Sequence, residues 1–520
     1  MIRMTLAEIA AAVSGVLREA DADTPDTAVA GAVDTDSRLI GPGDIFVAKP
    51  GEITDGHRFV VAAAAAGAAL AIVEHPVEAP ISQIVVGDAV QALADLARAV
   101  VARVRARGDL RIVGITGSNG KTTTKNLLAR ILQDEGDTVA PRASFNNEVG
   151  APLTMLRVTE STRFLVSEFG AAGPGQIARL AGLVTPDVGV VLMVGLAHAG
   201  GFGGVEATLK AKTELVEAVR PGGVAVLNAD DPRVVTMAAV AAARDVSVRW
   251  FGRGAPSHPK QQPFRGAAAP RGQESLPSEA RSTGQLFSGA AAPWGRESLA
   301  HVARLSHQLR AEDVEVSASG TRCVVVGGDE RVPLRLQVLG EHHVMNALAA
   351  LAAAQVLGVS LRDGIARLET VELAERWRMQ PLGSDRIRII NDAYNASPDS
   401  MAAALRTLAQ IVAPGQRKVA VLGAMSELGE YAGEEHDRVG LLAVRLRIER
   451  IVVVGRDARR LYLAAVGEGS WDGEAVFFET ADEAYDYLMA ELRDGDRVLV
   501  KSSNSAGLRH LGDRLGESLS

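Results

Sequence analysis

Apolar residues in this chain gather into short, nearly unbroken runs, each followed by a glycine-rich or polar turn and then a stretch with helical period. "LRIVGIT" (110–116) passes through such a turn into "TTKNLLARILQDEG" (123–136), where Leu127, Leu128, Ile131 and Leu132 share one helix face and Gly136 is placed to close it. Further runs are "RFLV" (163–166), "VGVVLMV" (188–194) and "GVAVL" (223–227). Runs that are apolar at every position, and not at alternate ones, predict strands covered on both faces in a mostly parallel sheet. A later series, "RIRII" (386–390), "KVAVLG" (418–423), "RIVVVG" (450–455) and "RVLVK" (497–501), predicts a second, doubly wound sheet.

Between the two series the pattern changes. Residues 253–300 are rich in Gly, Ala, Pro, Ser and Arg without periodicity, and "FRGAAAPRGQESL" (264–276) returns as "FSGAAAPWGRESL" (287–299). This reads as a duplicated, disordered insertion. Beyond it, "VEVSASGTRCVVV" and "PLRLQVLG" predict a β-hairpin, and "NALAALAAAQVLG" a helix closed by Gly358. Near the start, "MIRMTLAEIAAAVSGVL" predicts an amphipathic helix, since Glu8 interrupts any signal-like run. Strand-like "AIV" (71–73) and "IVV" (84–86) precede a helix carrying Leu93, Leu96, Val100 and Val104, and "RARGD" marks a boundary. Three α/β domains are expected: 1–108, 109–368 and 369–520.

A chain of 520 residues is too long for one core, which agrees with that division. Its 47% hydrophobic and 23% charged residues are ordinary for a folded soluble protein. The net charge of −8 gives no general reason to bind nucleic acid or an anionic membrane. The single cysteine rules out an internal disulfide, and no apolar run reaches the roughly 18 residues of a membrane span. A cytoplasmic protein is expected.

The chemistry gathers at strand ends. "GITGSNGKTTTK" (114–125) is close to a phosphate-binding loop, but the G-x-x-x-x-G-K-[ST] pattern would require glycine where Ile115 stands. Backbone N–H groups of Gly117–Gly120 and the helix N-terminus would hold phosphate oxygens of ATP or GTP. Lys121 would add a full charge, and the Thr122 hydroxyl would ligate Mg²⁺. Glu168, His198, Asn228, Asp230 and Asp231 also follow strands, as do Asp392 and Lys501 in the last domain, so two sites should face each other. Glu168 and His198 could complete a metal site. Lys212, in "LKAKTEL", is most simply a surface residue; buried beside metals, its neutral amine could take up CO₂ as a carbamate.

Taken together, "TGSNGKTT", "SEFGA", the His198 to Lys212 interval, "LNADD" and "GEHHVMNALAALA" resemble the central domain of the Mur ligases, ATP-dependent amide-forming enzymes of peptidoglycan synthesis. The family's T-G-x-[NK]-G-K-[ST] loop accounts for the mismatch at Ile115. "DTDSRLIGPGDIFVAKPGEITDGHRF" (34–59) resembles the family's uridine-nucleotide domain. "NDAYNASPDSM" (391–401) and "VLGAMSELGE" (421–430) resemble the branch that adds D-alanyl-D-alanine to a UDP-N-acetylmuramoyl-tripeptide.

The resemblance implies ATP and Mg²⁺ as cofactors, and a monomer is expected. It implies ATP contacts from Gly117, Ser118, Asn119, Gly120, Lys121, Thr122 and Thr123, with Asn346 at adenine, Asp392 at the nucleotide and Arg376 reaching ATP on domain closure. It makes Thr122, Glu168, His198 and a carbamylated Lys212 the metal set, and Lys121, Lys212, His198 and Arg376 the catalytic residues. Ser37, Arg38, Asp55, Gly56 and His57 fall on the uridine side, and Asn147, Tyr394, Asn395 and Lys501 on the remaining substrate side. His343, Glu375, Ala424 and Asn504 depart from the family pattern. A sister ligase adding a diamino acid, a folate polyglutamate synthase and a non-catalytic nucleotide-binding regulator are the alternatives.

Overall fold

The computed structural model describes the chain except residues 21–22, 52–53, 142–143, 172, 197–202, 254–307, 372–375 and 469–473. Most of the repeated insertion therefore lies outside the described residues.

The first unit is a five-stranded sheet ordered Val16–Arg18, Gln83–Val85, Leu70–Val73, Ile45–Val47, Val33–Asp34. The helix Ala89–Arg105 packs its Leu93, Leu96 and Val100 face into the same core. Asp88 starts that helix by accepting from the N–H groups of Val90 and Gln91. The long first helix expected from the pattern is corrected to a short one, Leu6–Ala12, between strands Met4–Thr5 and Val16–Arg18. Thr5 and Glu8 form a capping box at its start. Ser14, at φ 53°, turns the chain at its end, so the downstream apolar residues enter the sheet.

The central unit is a nine-stranded sheet whose core strand is Arg111–Thr116, flanked by Phe164–Glu168 and Val188–Val191, all parallel. Parallel pairing continues outward to Gln308–Ser317. There the expected hairpin is corrected to three antiparallel strands, Gln308–Ser317, Gly320–Gly327 and Glu330–Leu336. The second turn lies at Gly328, whose φ of 60° suits glycine, and the third strand buries alternate residues only. That strand holds the expected "PLRL" arm; the unforeseen turn lies at 318–319, inside "VEVSASGTRCVVV".

The helix Lys121–Gln133 lays Leu127, Leu128, Ile131 and Leu132 against Ala347, Leu348 and Leu351 of the helix Glu341–Val356. Fully burying such a leucine is worth about 2 kcal/mol. The alanines of the second helix let the pair approach closely, which brings Asn346 against Gly120 of the glycine loop.

The last unit is a six-stranded sheet ordered Gln380–Gly383, Arg388–Asn391, Arg497–Lys501, Lys418–Leu422, Arg450–Val454, Ala475–Phe478. All neighbours are parallel except the first pair. The two edge strands escape the sequence pattern because they are only half-buried. The boundary expected at 108 falls between a helix and a strand, and that at 368 one residue before the helix Leu361–Glu369 ends.

Candidate active site

Ile115, the residue that breaks the phosphate-loop pattern, is fully buried inside the strand Arg111–Thr116 and paired with Val190 and Glu168. A side chain is required there, because the position belongs to the sheet core and not to the loop. The loop itself is Gly117–Gly120. Gly120 (φ 84°) is the residue before the helix, and a Cβ on it would collide with the Asn346 side-chain oxygen. Both the left-handed backbone and the close approach demand glycine. Ser118 fastens the loop by donating its hydroxyl to the Gly195 carbonyl at 3.2 Å and accepting the Gly195 N–H at 2.8 Å.

The loop opens into a cavity of about 1030 Å³ between the central and last units. Gly117, Ser118, Asn119, Gly120, Lys121, Thr122 and Thr123 all line it. The Lys121 ammonium curls back to the Gly117 carbonyl at 2.8 Å. Burial holds its pKa below the usual lysine value, with the Glu168 carboxylate opposing that shift. Thr122 Oγ1 donates to Glu168 Oε2 at 3.0 Å, and the Asn146 amide donates to Glu168 Oε1 at 2.7 Å. Glu168 is 1% exposed and sits at the end of its strand. A hydroxyl and a buried carboxylate offer the hard oxygen donors that Mg²⁺ prefers, so these two residues fit that ion. His198, the further expected ligand, lies outside the described residues.

Lys212 is 4% exposed and lines the same cavity. Its amine is pushed down to about 7, first by burial and then by the charge of Lys121. The simple reading of this lysine as a surface residue is therefore corrected. It lies on the inner face of the helix Val205–Ala218, beside Ala211 and Leu215.

The last unit supplies the opposite wall. Asp392 follows the strand Arg388–Asn391; its Oδ2 meets Lys501 Nζ at 2.6 Å and its Oδ1 accepts the Met379 N–H at 3.0 Å. Lys501 also donates to the Asn395 carbonyl at 3.2 Å. Tyr394 donates to Ser144 at 3.2 Å, and Ser397 donates to Asn119 Oδ1 at 3.0 Å. Asn147, Asn346, Tyr394 and Asn395 all line the cavity.

Arg376 does not. It is exposed, paired with Asp513 at 3.0 Å and lying over the Trp377 ring. Two residues on, Arg378 enters the cavity, stacks on Tyr394 at 4.0 Å, and donates to Ser144 at 3.1 Å and Thr122 at 3.4 Å. Of these two arginines it is Arg378, and not the expected Arg376, that lines the cavity. Trp377, at φ 63°, and Met379, at φ 49°, flank Arg378 with left-handed backbone and re-aim the chain, which no periodicity could reveal. Two histidines were also missed as cavity residues. His342 is pushed down to about 4 by burial, and His343, well below its usual value for the same reason, has neither ring nitrogen partnered among the described residues.

Asn228, Asp230 and Asp231 prove to be braces. Asn228 donates to the Leu192 carbonyl, Asp230 accepts the Arg253 N–H, and Asp231 accepts the Val194 N–H and caps the helix Pro232–Ala243.

Ser37, Arg38, Asp55, Gly56 and His57 belong to the first unit and do not line this cavity. Ser37 and Arg38 form a short turn capped by Asp36, which Arg38 pairs at 2.6 Å. His57 is buried; its Nδ1 meets Asp55 at 2.6 Å, its Nε2 accepts the Glu74 N–H at 2.7 Å, and its ring stacks on His75. Both nitrogens of His57 are engaged in holding the loop.

A glycine phosphate loop on a parallel sheet, a half-buried and a buried lysine beside oxygen donors that suit Mg²⁺, and a second α/β unit across the cavity define a nucleotide-dependent group-transfer enzyme. Three family descriptions match the chain: Mur ligase family, catalytic domain, at residues 31–105; Mur ligase middle domain at 115–272; and Mur ligase, glutamate ligase domain, at 377–504. The chain belongs to the Mur ligase family. It is 39% identical to the UDP-N-acetylmuramoyl-tripeptide–D-alanyl-D-alanine ligase of Mycobacterium leprae, over 99% of this chain and 98% of that protein. It is 31% identical to the same-named ligase of Escherichia coli, over 100% and 99%. The crystal structure of MurF from Acinetobacter baumannii superposes with a TM-score of 0.80 at 28% identity, covering 99% of both chains. No helix among the described residues is long and apolar enough to cross a membrane.

Proposed function

We propose that this protein is an ATP-dependent ligase joining D-alanyl-D-alanine to the terminal carboxylate of UDP-N-acetylmuramoyl-tripeptide. The observation that carries the reading is one cavity holding the phosphate loop, Glu168 and the buried Lys212 on one wall and Arg378 on the other, in a chain similar end to end to ligases of that name.

A carboxylate is a poor electrophile, so it is activated first. The γ-phosphoryl group passes from ATP to a carboxylate oxygen, giving ADP and an acyl phosphate. The acceptor amine nitrogen then bonds to the acyl carbon and loses a proton, the C–O bond to phosphate breaks, and inorganic phosphate leaves. Backbone N–H groups of Gly117–Gly120 orient the phosphates, and Lys121 places positive charge beside the transferring group. Thr122 and Glu168, with His198 as a further ligand, would hold Mg²⁺, which would neutralise charge on the phosphoryl oxygens. Arg378 lies across the cavity from Lys121 and takes the role first given to Arg376. Asn346 and Asp392 face the nucleotide, and Ser37, Arg38, Asp55, Gly56 and His57 carry the uridine end.

Lys212 fits a carbamate role. With its pKa near 7, much of its amine is neutral at neutral pH; that amine adds to CO₂ and releases one proton, leaving an anion beside Lys121. The enzyme works as a monomer in the cytoplasm. Phosphate release with ATP, Mg²⁺ and the UDP-muramoyl tripeptide, offering D-Ala-D-Ala, diaminopimelate, lysine or glutamate in turn, tests the assignment. Turnover with the dipeptide alone is expected, and turnover with a diamino acid instead would overturn it.

A further inference from the structure

The end of the central sheet opposite the phosphate loop carries a second cavity, of about 500 Å³. The strands Arg111–Thr116, Phe164–Glu168, Val188–Val191 and Val224–Asn228 run parallel, so all four begin at this end. Charged residues stand where they begin: Arg111, Arg163, Asp187 and Arg220 all line the cavity. The strand Arg111–Thr116 separates this place from the loop by about 20 Å, at about 3.3 Å per residue. The two cavities share no lining residue.

The charges converge on one oxygen. Asp187 is 6% exposed, and its Oδ1 accepts from Arg220 Nε at 2.6 Å and Arg105 Nη2 at 3.0 Å, with Arg111 Nη1 at 3.8 Å. Its Oδ2 accepts the Ile112 N–H at 2.8 Å. A single carboxylate neutralises only one of those three guanidinium groups. With Arg163 and Asp109 counted, four guanidinium groups meet two carboxylates.

The four arginines are not equally engaged. Arg105 Nη1 donates to the Val184 and Thr185 carbonyls, and Arg163 Nη1 donates to that of Glu135. These two brace the chain. The Arg111 side chain makes no hydrogen bond among the described residues, and Arg220 makes none through its two terminal nitrogens. Their side chains are 51% and 39% exposed, so these donors stay open to the cavity. Guanidinium groups drawn to within 4 Å of one oxygen repel one another, and a second anion relieves that repulsion.

We propose that this cavity binds a phosphate monoester, its dianionic phosphoryl group between Arg111 and Arg220 and its organic group over Val356 and Leu357. Two planar guanidinium forks with open donors match the terminal oxygens of a phosphoryl group. Val356 and Leu357 line the cavity at the end of the helix Glu341–Val356 and are only partly buried. The volume falls within the range of small-molecule sites, about 300–1,000 Å³, and exceeds what a bare phosphate ion needs.

Isothermal titration calorimetry on the full chain tests the site, with Mg²⁺ and a non-hydrolysable ATP analogue saturating the phosphate loop. Phenyl phosphate should bind, and more tightly than inorganic phosphate. Arg111→Gln should weaken that binding by about tenfold, the scale of a lost charge-assisted contact. Arg111→Lys should recover part of the loss, and Arg378→Ala, in the catalytic cavity, should bind as the wild type does. Arg111→Gln should also keep the thermal midpoint of the ligand-free protein at low salt, while losing the rise that phenyl phosphate gives the wild type. No binding, equal affinity in Arg111→Gln, or loss of binding in Arg378→Ala would overturn the proposal. A lower midpoint in Arg111→Gln would show that Asp187 needs this arginine and that no positive charge is in surplus, which also overturns it. Equal affinity for the two probes would reduce the ligand to free phosphate and overturn the ester assignment.

Discussion

The two walls of the cavity solve the same problem, presenting charge to a substrate, in opposite ways. On the central wall Thr122, Glu168 and Lys212 are buried, and Thr122, Glu168, Asn146 and Ser144 form a cross-bonded cluster whose geometry exists before any ligand arrives. On the wall of the last unit Lys501 is buried against Asp392, but the arginines reach in on long arms; the Arg438 side chain is 73% exposed. Buried charges act strongly because the surrounding dielectric is low and reorganisation is already complete. Solvated arginines are screened until the second unit closes over the site. We propose that the central wall carries the chemistry and that the other wall closes over it.

The largest effect should come from the central wall. Lys121→Ala should lower kcat by about 10³-fold in a phosphate-release assay, with the circular dichroism spectrum unchanged. A loss under tenfold would show that the loop backbone alone holds the transferring group.

Lys212→Ala comes next, at about 10²-fold, and has its own signature. The Lys212 amine is lowered to about 7 from 10.5. Below that pH it is charged in both folded and unfolded chains, so its burial cost is fully present. Between about 7 and 10.5 the unfolded chain binds more protons, and stability rises with pH through that window. Uptake of CO₂ follows the neutral amine, so a carbamate signal from ¹³C-bicarbonate should grow as pH climbs through 7 and be absent in Lys212→Ala. A signal that persists in the variant would place the carbamate elsewhere.

Arg378→Ala and Arg376→Ala make the sharpest pair on the second wall. The first should cost about 10-fold to 10²-fold in kcat/KM, and the second should stay within about threefold, both read by phosphate release. The reverse order would mean that closure brings the exposed arginine in and turns the other out. The smallest effect concerns His343, whose buried nitrogens lack partners. His343→Leu should raise the stability of the ligand-free protein by about 1 kcal/mol, read as a higher thermal midpoint. No rise would mean that nearby groups or water already satisfy the ring.

The sequence was most informative where one physical rule acts locally. The phosphate loop was readable because positive φ at Gly120, the helix start at Lys121 and the strand before them are neighbours in the chain. The continuous apolar runs likewise announced the central strands. Half-buried edges such as Gln380–Gly383 and Ala475–Phe478 lacked that signal.

The site divides along the same line. Residue types and order in the chain determined the phosphate loop, the carboxylate at the end of its strand, and the family that joins them. Which arginine enters the cavity depended on the left-handed turns at Trp377 and Met379, and the Lys212 pKa depended on a helix burying it beside Lys121. His57 became a brace only when Glu74 and Asp55 met both its nitrogens. Local backbone preference is encoded residue by residue, whereas desolvation and charge pairing are properties of neighbours that only the folded chain brings together.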